Sequence, residues 1–86
     1  MTQFIGFSVD LTVHAGYIRY RSVPEGEHAN SKRVSEDVVA DYGANGQLLG
    51  IELLALDDAA MSQARSFAAA NDLAFPRDLG GALIPT

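Results

Sequence analysis

The sequence predicts an α+β fold: an antiparallel β-meander of four to five strands with one C-terminal helix packed on one face. Three observations carry this. Residues 38–56 hold two apolar alternations hinged on Asn45-Gly46, and residues 4–22 hold two more alternating runs. Asp57 then opens a stretch whose apolar positions recur at helical spacing.

From Phe4 to Asp10, Ile5, Phe7 and Val9 alternate with Gly6, Ser8 and Asp10, which reads as a first strand. Leu11 to Ala15 is a short connection. A second strand over Gly16–Ser22 turns Ile18 and Tyr20 inward and Tyr17, Arg19 and Arg21 outward. Pro24-Glu25-Gly26-Glu27 is turn chemistry. His28 to Val34 is polar and weakly strand-like, suited to an edge where Lys32 and Arg33 discourage pairing with other chains. Ser35-Glu36-Asp37 turns the chain into the central hairpin.

That hairpin is the strongest local signal. Asn-Gly favours a two-residue type I′ turn, whose central residues both need positive φ. Such a turn pairs Ala44 with Gln47, Tyr42 with Leu49, Ala40 with Ile51 and Val38 with Leu53 on one apolar face. A slip of one residue would mix the faces. The second face carries Val39, Asp41, Leu48, Gly50, Glu52 and Leu54, which is mixed and calls for something to rest on it.

Asp57 is the expected N-cap of a helix over about 57–71, with Asp58 favoured by the helix dipole and Leu56 and Met61 spaced as a hydrophobic staple. Ala60, Met61, Ala64, Phe67 and Ala68 form the buried stripe, while Ser62, Gln63, Arg65 and Ser66 face away. The domain is expected to span residues 1–72. Residues 73–86, apolar but broken by Pro76, Gly80-Gly81 and Pro85, form a C-terminal extension packed on the domain or on a dimer partner.

Composition narrows the function classes. Eighty-six residues leave room for one core, and a 48% hydrophobic share with 20% charge is that of a globular chain. Without cysteine there is no disulfide frame, thiolate metal site or thiol nucleophile. The start shows no basic region ahead of an apolar run, and no apolar run reaches membrane-spanning length, so a cytoplasmic protein is expected. A net charge of −5 repels phosphate backbones and anionic lipid, which argues against direct nucleic-acid or membrane partners and favours a basic one.

Catalytic chemistry finds little support. His14 and His28 are two isolated imidazoles where zinc wants three or four spaced ligands. The serines show no elbow motif, and Glu36-Asp37 and Asp57-Asp58 read as a turn and a cap. Gly43-Ala44-Asn45-Gly46 joins strands and does not open a helix, so it is no phosphate cradle. No catalytic residue, metal or cofactor is assigned. The candidate recognition patch is Tyr17, Arg19, Asp41 and Glu52 on the outer sheet face, with Arg suited to a carboxylate and Tyr to an amphipathic anchor. Cross-strand charge pairing is the competing account.

Two segments, FSVDLTVHAGYIRYR and SEDVVADYGANGQLLGIELL, resemble domain-of-unknown-function family 2283, the small YuzE-like bacterial proteins. The resemblance rests on Asp10, Ala15, Tyr17, Ile18 and Arg19, and on a frame of Val39, Asp41, Tyr42, Gly46, Leu48, Gly50, Ile51 and Glu52. Leu11 stands where the family often has proline, and His14 where it often has an acid. The resemblance implies a small antiparallel sheet with a C-terminal helix and no established activity. Family members found beside small toxin-like proteins imply an antitoxin or partner-binding role.

The first functional expectation is therefore a small non-enzymatic protein-interaction module, an antitoxin-like binder of a small basic partner. The alternative is a small-ligand sensor with a pocket between helix and sheet near Tyr20 and Tyr42; an enzyme ranks third. A homodimer is expected because Val39, Leu48 and Leu54 leave the second face partly apolar.

Overall fold

The computed structural model describes residues 1–22 and 30–76. The expected Pro24–Glu27 turn, His28 and residues 77–86 of the expected extension lie outside them. The described chain forms β1 (Gly6–Asp10), β2 (Ala15–Arg19), β3 (Asn30–Ser35), β4 (Val38–Tyr42), β5 (Leu48–Leu53) and α1 (Asp58–Ala70). All five strands are antiparallel to their neighbours in one sheet, and the helix makes the fold α+β as expected. The strand order is β1-β2-β5-β4-β3, so the β1–β2 hairpin and the β3–β4–β5 meander join through β5 beside β2. Local alternation carries no information about that junction.

One face of the sheet is the core. Ile18, Val38, Ala40, Leu49, Ile51 and Leu53 are fully buried, with Tyr20 nearly so, beneath Ala60, Met61, Ala64 and Ala68 of α1. The small helix stripe lets α1 lie close over β4 and β5. Phe67 and Leu56 are partly buried against the same cluster, in keeping with the stripe and staple. Because the helix sits over β4 and β5, the inward row of β1 is thinly covered: Val9 is half-buried, but Phe7 is 41% and Ile5 58% exposed.

The central hairpin differs from expectation at its tip and agrees at its base. Gly46 N–H donates to Gly43 O (2.9 Å) and Gly43 N–H to Gln47 O (2.8 Å), closing a loop of Ala44, Asn45 and Gly46. Gly46 has φ 83, while Asn45 is not in the positive-φ region. This is the three-residue hairpin form, which needs one left-handed residue and places it on glycine, where it carries no Cβ penalty. The expected type I′ turn would have put Asn45 there too. The pairs at the tip shift accordingly: Tyr42 faces Leu48, not Leu49. An irregularity between Asp41 and Tyr42 then restores Ala40↔Ile51 and Val38↔Leu53 as expected. Leu49 O accepts from both Tyr20 N–H (2.8 Å) and Arg21 N–H (3.1 Å) at this irregularity, and β2 ends at Arg19, short of the expected Ser22.

Asp57 caps α1 by accepting from Ala60 N–H (2.9 Å). At the other end Asp72 takes φ 55, Leu73 N–H donates to Ala68 O (2.8 Å) and Asp72 N–H to Ala69 O (3.3 Å), a Schellman closure that turns Leu73 into the core. Residues 73–76 then run beside the N-terminal segment, with Thr2 bridged in parallel to Leu73 and Tyr20 hydroxyl donating to Ala74 O (2.7 Å).

Gln63 does not face away. Its Oε1 accepts from Asp37 N–H (3.0 Å) and Ser35 Oγ, and its Nε2 donates to Asp37 Oδ2 (3.2 Å). At the border of the helix stripe, it can reach the β3–β4 turn, which a purely apolar face could not satisfy. Gln63→Ala should lower stability by about 1–2 kcal/mol, read as a lower urea midpoint at unchanged m value. An unchanged midpoint would show that the turn holds itself.

Candidate functional site

The outer face of the sheet, opposite α1, is ordered by two cross-strand rows. One runs Ser8, Tyr17, Glu52, Val39, Arg33, and its neighbour Gly6, Arg19, Gly50, Asp41, Ser31. All four sequence candidates, Tyr17, Arg19, Asp41 and Glu52, thus lie in two adjacent rows of the three inner strands.

Tyr17 is the organising side chain. From β2 it leans diagonally over Gly50 of β5, so that a Cβ at Gly50 would collide with its hydroxyl and Cζ. The hydroxyl thereby reaches β4 and donates to the Asp41 carboxylate. Asp41 Oδ1 accepts a second bond, from Ser31 Oγ of β3 (2.6 Å). One polar chain therefore crosses from β2 to β3, and the glycine between is what lets the ring lie flat. Arg19 stands with its guanidinium carbon 5.9 Å from the Tyr17 ring centroid. Among the described residues it forms no ion pair with Asp41 or Glu52.

Burial first, then the neighbouring Asp41 charge and hydrogen bond, push the Tyr17 phenol up to about 12, against a smaller opposing effect of Arg19. Tyr20 is pushed up to about 12 by burial. Both phenols hold their protons at neutral pH. Since each pKa is raised on folding, the folded chain holds more protons than the unfolded chain between pH 10 and about 12. Stability should be insensitive to these groups below pH 10 and fall as pH rises through 12. Tyr17→Phe should shallow that alkaline loss, followed by circular dichroism beside tyrosinate absorbance. An unaltered alkaline limb would exclude Tyr17 from the linkage.

Gly50 and Ser31 were not among the sequence candidates. A glycine inside a strand alternation is the signal that could have marked Gly50, because it often records a close approach. Ser31 had no local signal. The second face is also less apolar than expected: Leu48 packs against the core cluster, which leaves half-buried Val39 and Leu54, 39% exposed, outside it. The irregularity at the hairpin tip is what rotates Leu48 out of that face.

Two shallow cavities flank Tyr17. One of about 270 Å³ is lined by Ile5, Gly6, Phe7, Ser8, Tyr17 and Arg19. Another of about 330 Å³ lies toward Ser8, Asp10, Val13, Ala15 and Glu52. A third, about 290 Å³, opens between the end of α1 and the sheet, with Tyr20, Arg21, Tyr42, Gln47 and Asn71 in its wall. Among the described residues no three histidine, aspartate or glutamate side chains gather as a metal site, and no helix is long and apolar enough to cross a membrane. The arrangement offers a fixed aromatic ring, the guanidinium groups of Arg19 and Arg33, and carboxylates on a sheet face. That inventory suits recognition; a phenol held protonated does not suit proton abstraction at neutral pH.

No curated protein and no solved structure is significantly similar to the chain. The model of one family, described as a protein of unknown function (DUF2283), matches residues 12–56. That span takes in β2 to β5 and the four candidate residues, over just more than half of the 86 residues. The chain belongs to this family of unknown function, DUF2283.

Proposed function

We propose that the protein is a non-enzymatic interaction module whose outer sheet face binds a small basic protein, in the manner of an antitoxin. The observation that carries this reading is the Tyr17 ring pinned across Gly50 by Asp41, with Glu52 in the adjoining row and α1 on the opposite face. A ring already held in one geometry loses little freedom on binding. Carboxylates of Asp10, Asp41 and Glu52 share the face, and the net charge of −5 favours a basic partner at long range. The test is co-purification from the native cell at low and high salt, followed by reconstitution with the Glu52→Lys variant. A stoichiometric basic protein released by salt and weakened by Glu52→Lys supports the proposal. Recovery of the protein alone at low salt removes it.

A second reading rests on the cavity of about 290 Å³ beside Tyr20 and Tyr42, which would hold a small ligand between helix and sheet. Salt separates the two: an apolar ligand should bind alike at low and high ionic strength, a basic protein should not. A metabolite screen by thermal shift with no stabilising compound would set the ligand reading aside.

A further inference from the structure

We infer that β1 is the dimerisation edge: two copies pair antiparallel through it, about a two-fold axis at Ser8, into one continuous ten-stranded sheet. The two outermost strands, β1 and β3, differ in kind. β3, at one end of the order, carries Lys32 and Arg33 and a register break between Arg33 and Ser35, all of which blunt an edge. β1, at the other end, pairs with β2 without a break from Gly6 to Asp10 and holds neither a basic residue nor a proline. It has a strand neighbour on one side only among the described residues.

Among the described residues, four of the exposed large apolar side chains gather at the same edge. Ile5, Phe7, Leu11 and Val13 are 58%, 41%, 48% and 62% exposed, in and around a single strand. A water-exposed row of this kind is unusual on a strand whose outer edge has no strand neighbour among the described residues.

The pattern is self-complementary, which selects a second copy as the occupant. Antiparallel pairing about Ser8 sets Phe7 against Val9 of the second copy, and Val9 against its Phe7. One step further out, Ile5 comes beside Leu11 of the second copy. Every pair on the inward face is then apolar. On the outward face Ser8 meets Ser8, and Asp10 meets Gly6, so no two carboxylates oppose each other in spite of the net charge of −5. α1 lies over β4 and β5, on strands remote from this edge, and leaves the approach open. A basic partner, by contrast, would find one carboxylate on this strand.

The two-fold axis runs perpendicular to the sheet, so the outer faces of both copies become one surface. The two Tyr17 side chains would stand three strand spacings apart, about 14 Å. An interface of one strand pair falls at the small end of specific contacts, so the dimer should dissociate in the micromolar range.

The experiment is sedimentation of the full chain from about 1 to 200 µM, with the variants Phe7→Lys and Ser8→Cys. Opposed strand residues place their Cα atoms about 4.5–5.5 Å apart, within disulfide reach. As the chain has no cysteine, Ser8→Cys reports this contact alone. A reversible dimer that Phe7→Lys converts to a folded monomer, with Ser8→Cys cross-linking under mild oxidation and Ser31→Cys on β3 failing to do so, supports the inference. A monomer at 200 µM overturns it. So does a dimer that survives Phe7→Lys without a Ser8→Cys cross-link, which would place the contact elsewhere, and so does a monomer that takes up another protein's strand at β1.

Discussion

Gly50→Ala should lower stability by about 2 kcal/mol and Gly50→Val by more, although neither position nor residue lies in the hydrophobic core. For a chain of this length the alanine variant should melt about 10 °C lower. The added Cβ meets two obstacles of different kinds. The Tyr17 hydroxyl and Cζ lie across the site, and the Ile18 carbonyl oxygen of β2 would be 2.7 Å away. The ring can swing aside, at the loss of its bond to Asp41; the carbonyl belongs to the central strand pairing and can move only with it. A double-mutant cycle with Tyr17→Ala separates the two. If the ring is the main obstacle, Gly50→Ala should cost much less in the Tyr17→Ala background, with the residue due to Ile18. Additive losses would mean that backbone crowding dominates and that Tyr17 is displaced easily. A Gly50→Ala change within about 0.5 kcal/mol of neutral, the range of ordinary surface substitutions, would contradict the close approach altogether.

The same glycine shows where sequence reading stops. Alternation identified Ile18, Tyr20, Val38, Ala40, Ile51 and Leu53 as inward, and Asp57 and the alanine stripe as a helix start and its buried face, because each depends on neighbours within one turn or one strand. The shared face of Tyr17, Arg19, Asp41 and Glu52 was legible for the same reason. Their contacts were not. Tyr17 can reach Asp41 only because β2 lies beside β5 and β5 beside β4, and the first of those pairings joins segments more than thirty residues apart. Gln63 escaped for a related cause: its polarity marks it as outward, while the unsatisfied turn that uses it belongs to another element. The hairpin tip departs from the expected two-residue turn because Asn-Gly fits two loop lengths. The three-residue loop with a later irregularity recovers the same base register, so the core was indifferent to the difference.

Ile51→Ala should cost about 3 kcal/mol, a large part of the 4–13 kcal/mol typical of 86 residues. Ile51 sits at the centre of the inward row Phe7, Ile18, Ile51, Ala40, with no exposed surface. Its neighbour on β4 is alanine, and the helix above contributes Ala60, Ala64 and Ala68 beside the one longer buried side chain, Met61. The alanines cannot reach into a void left by truncation, and α1 is held by the Asp57 cap at its start, the Gln63 contacts in its second turn and the Leu73 closure at its end. The cavity should therefore persist, which places the loss well above the transfer term alone. Ile51→Val, which removes one methyl, should cost about 1 kcal/mol. Urea unfolding of both variants is the measurement. If Ile51→Ala costs no more than Ile51→Val, the helix must settle into the space, and the alanine stripe would be a sliding contact and not a fixed one.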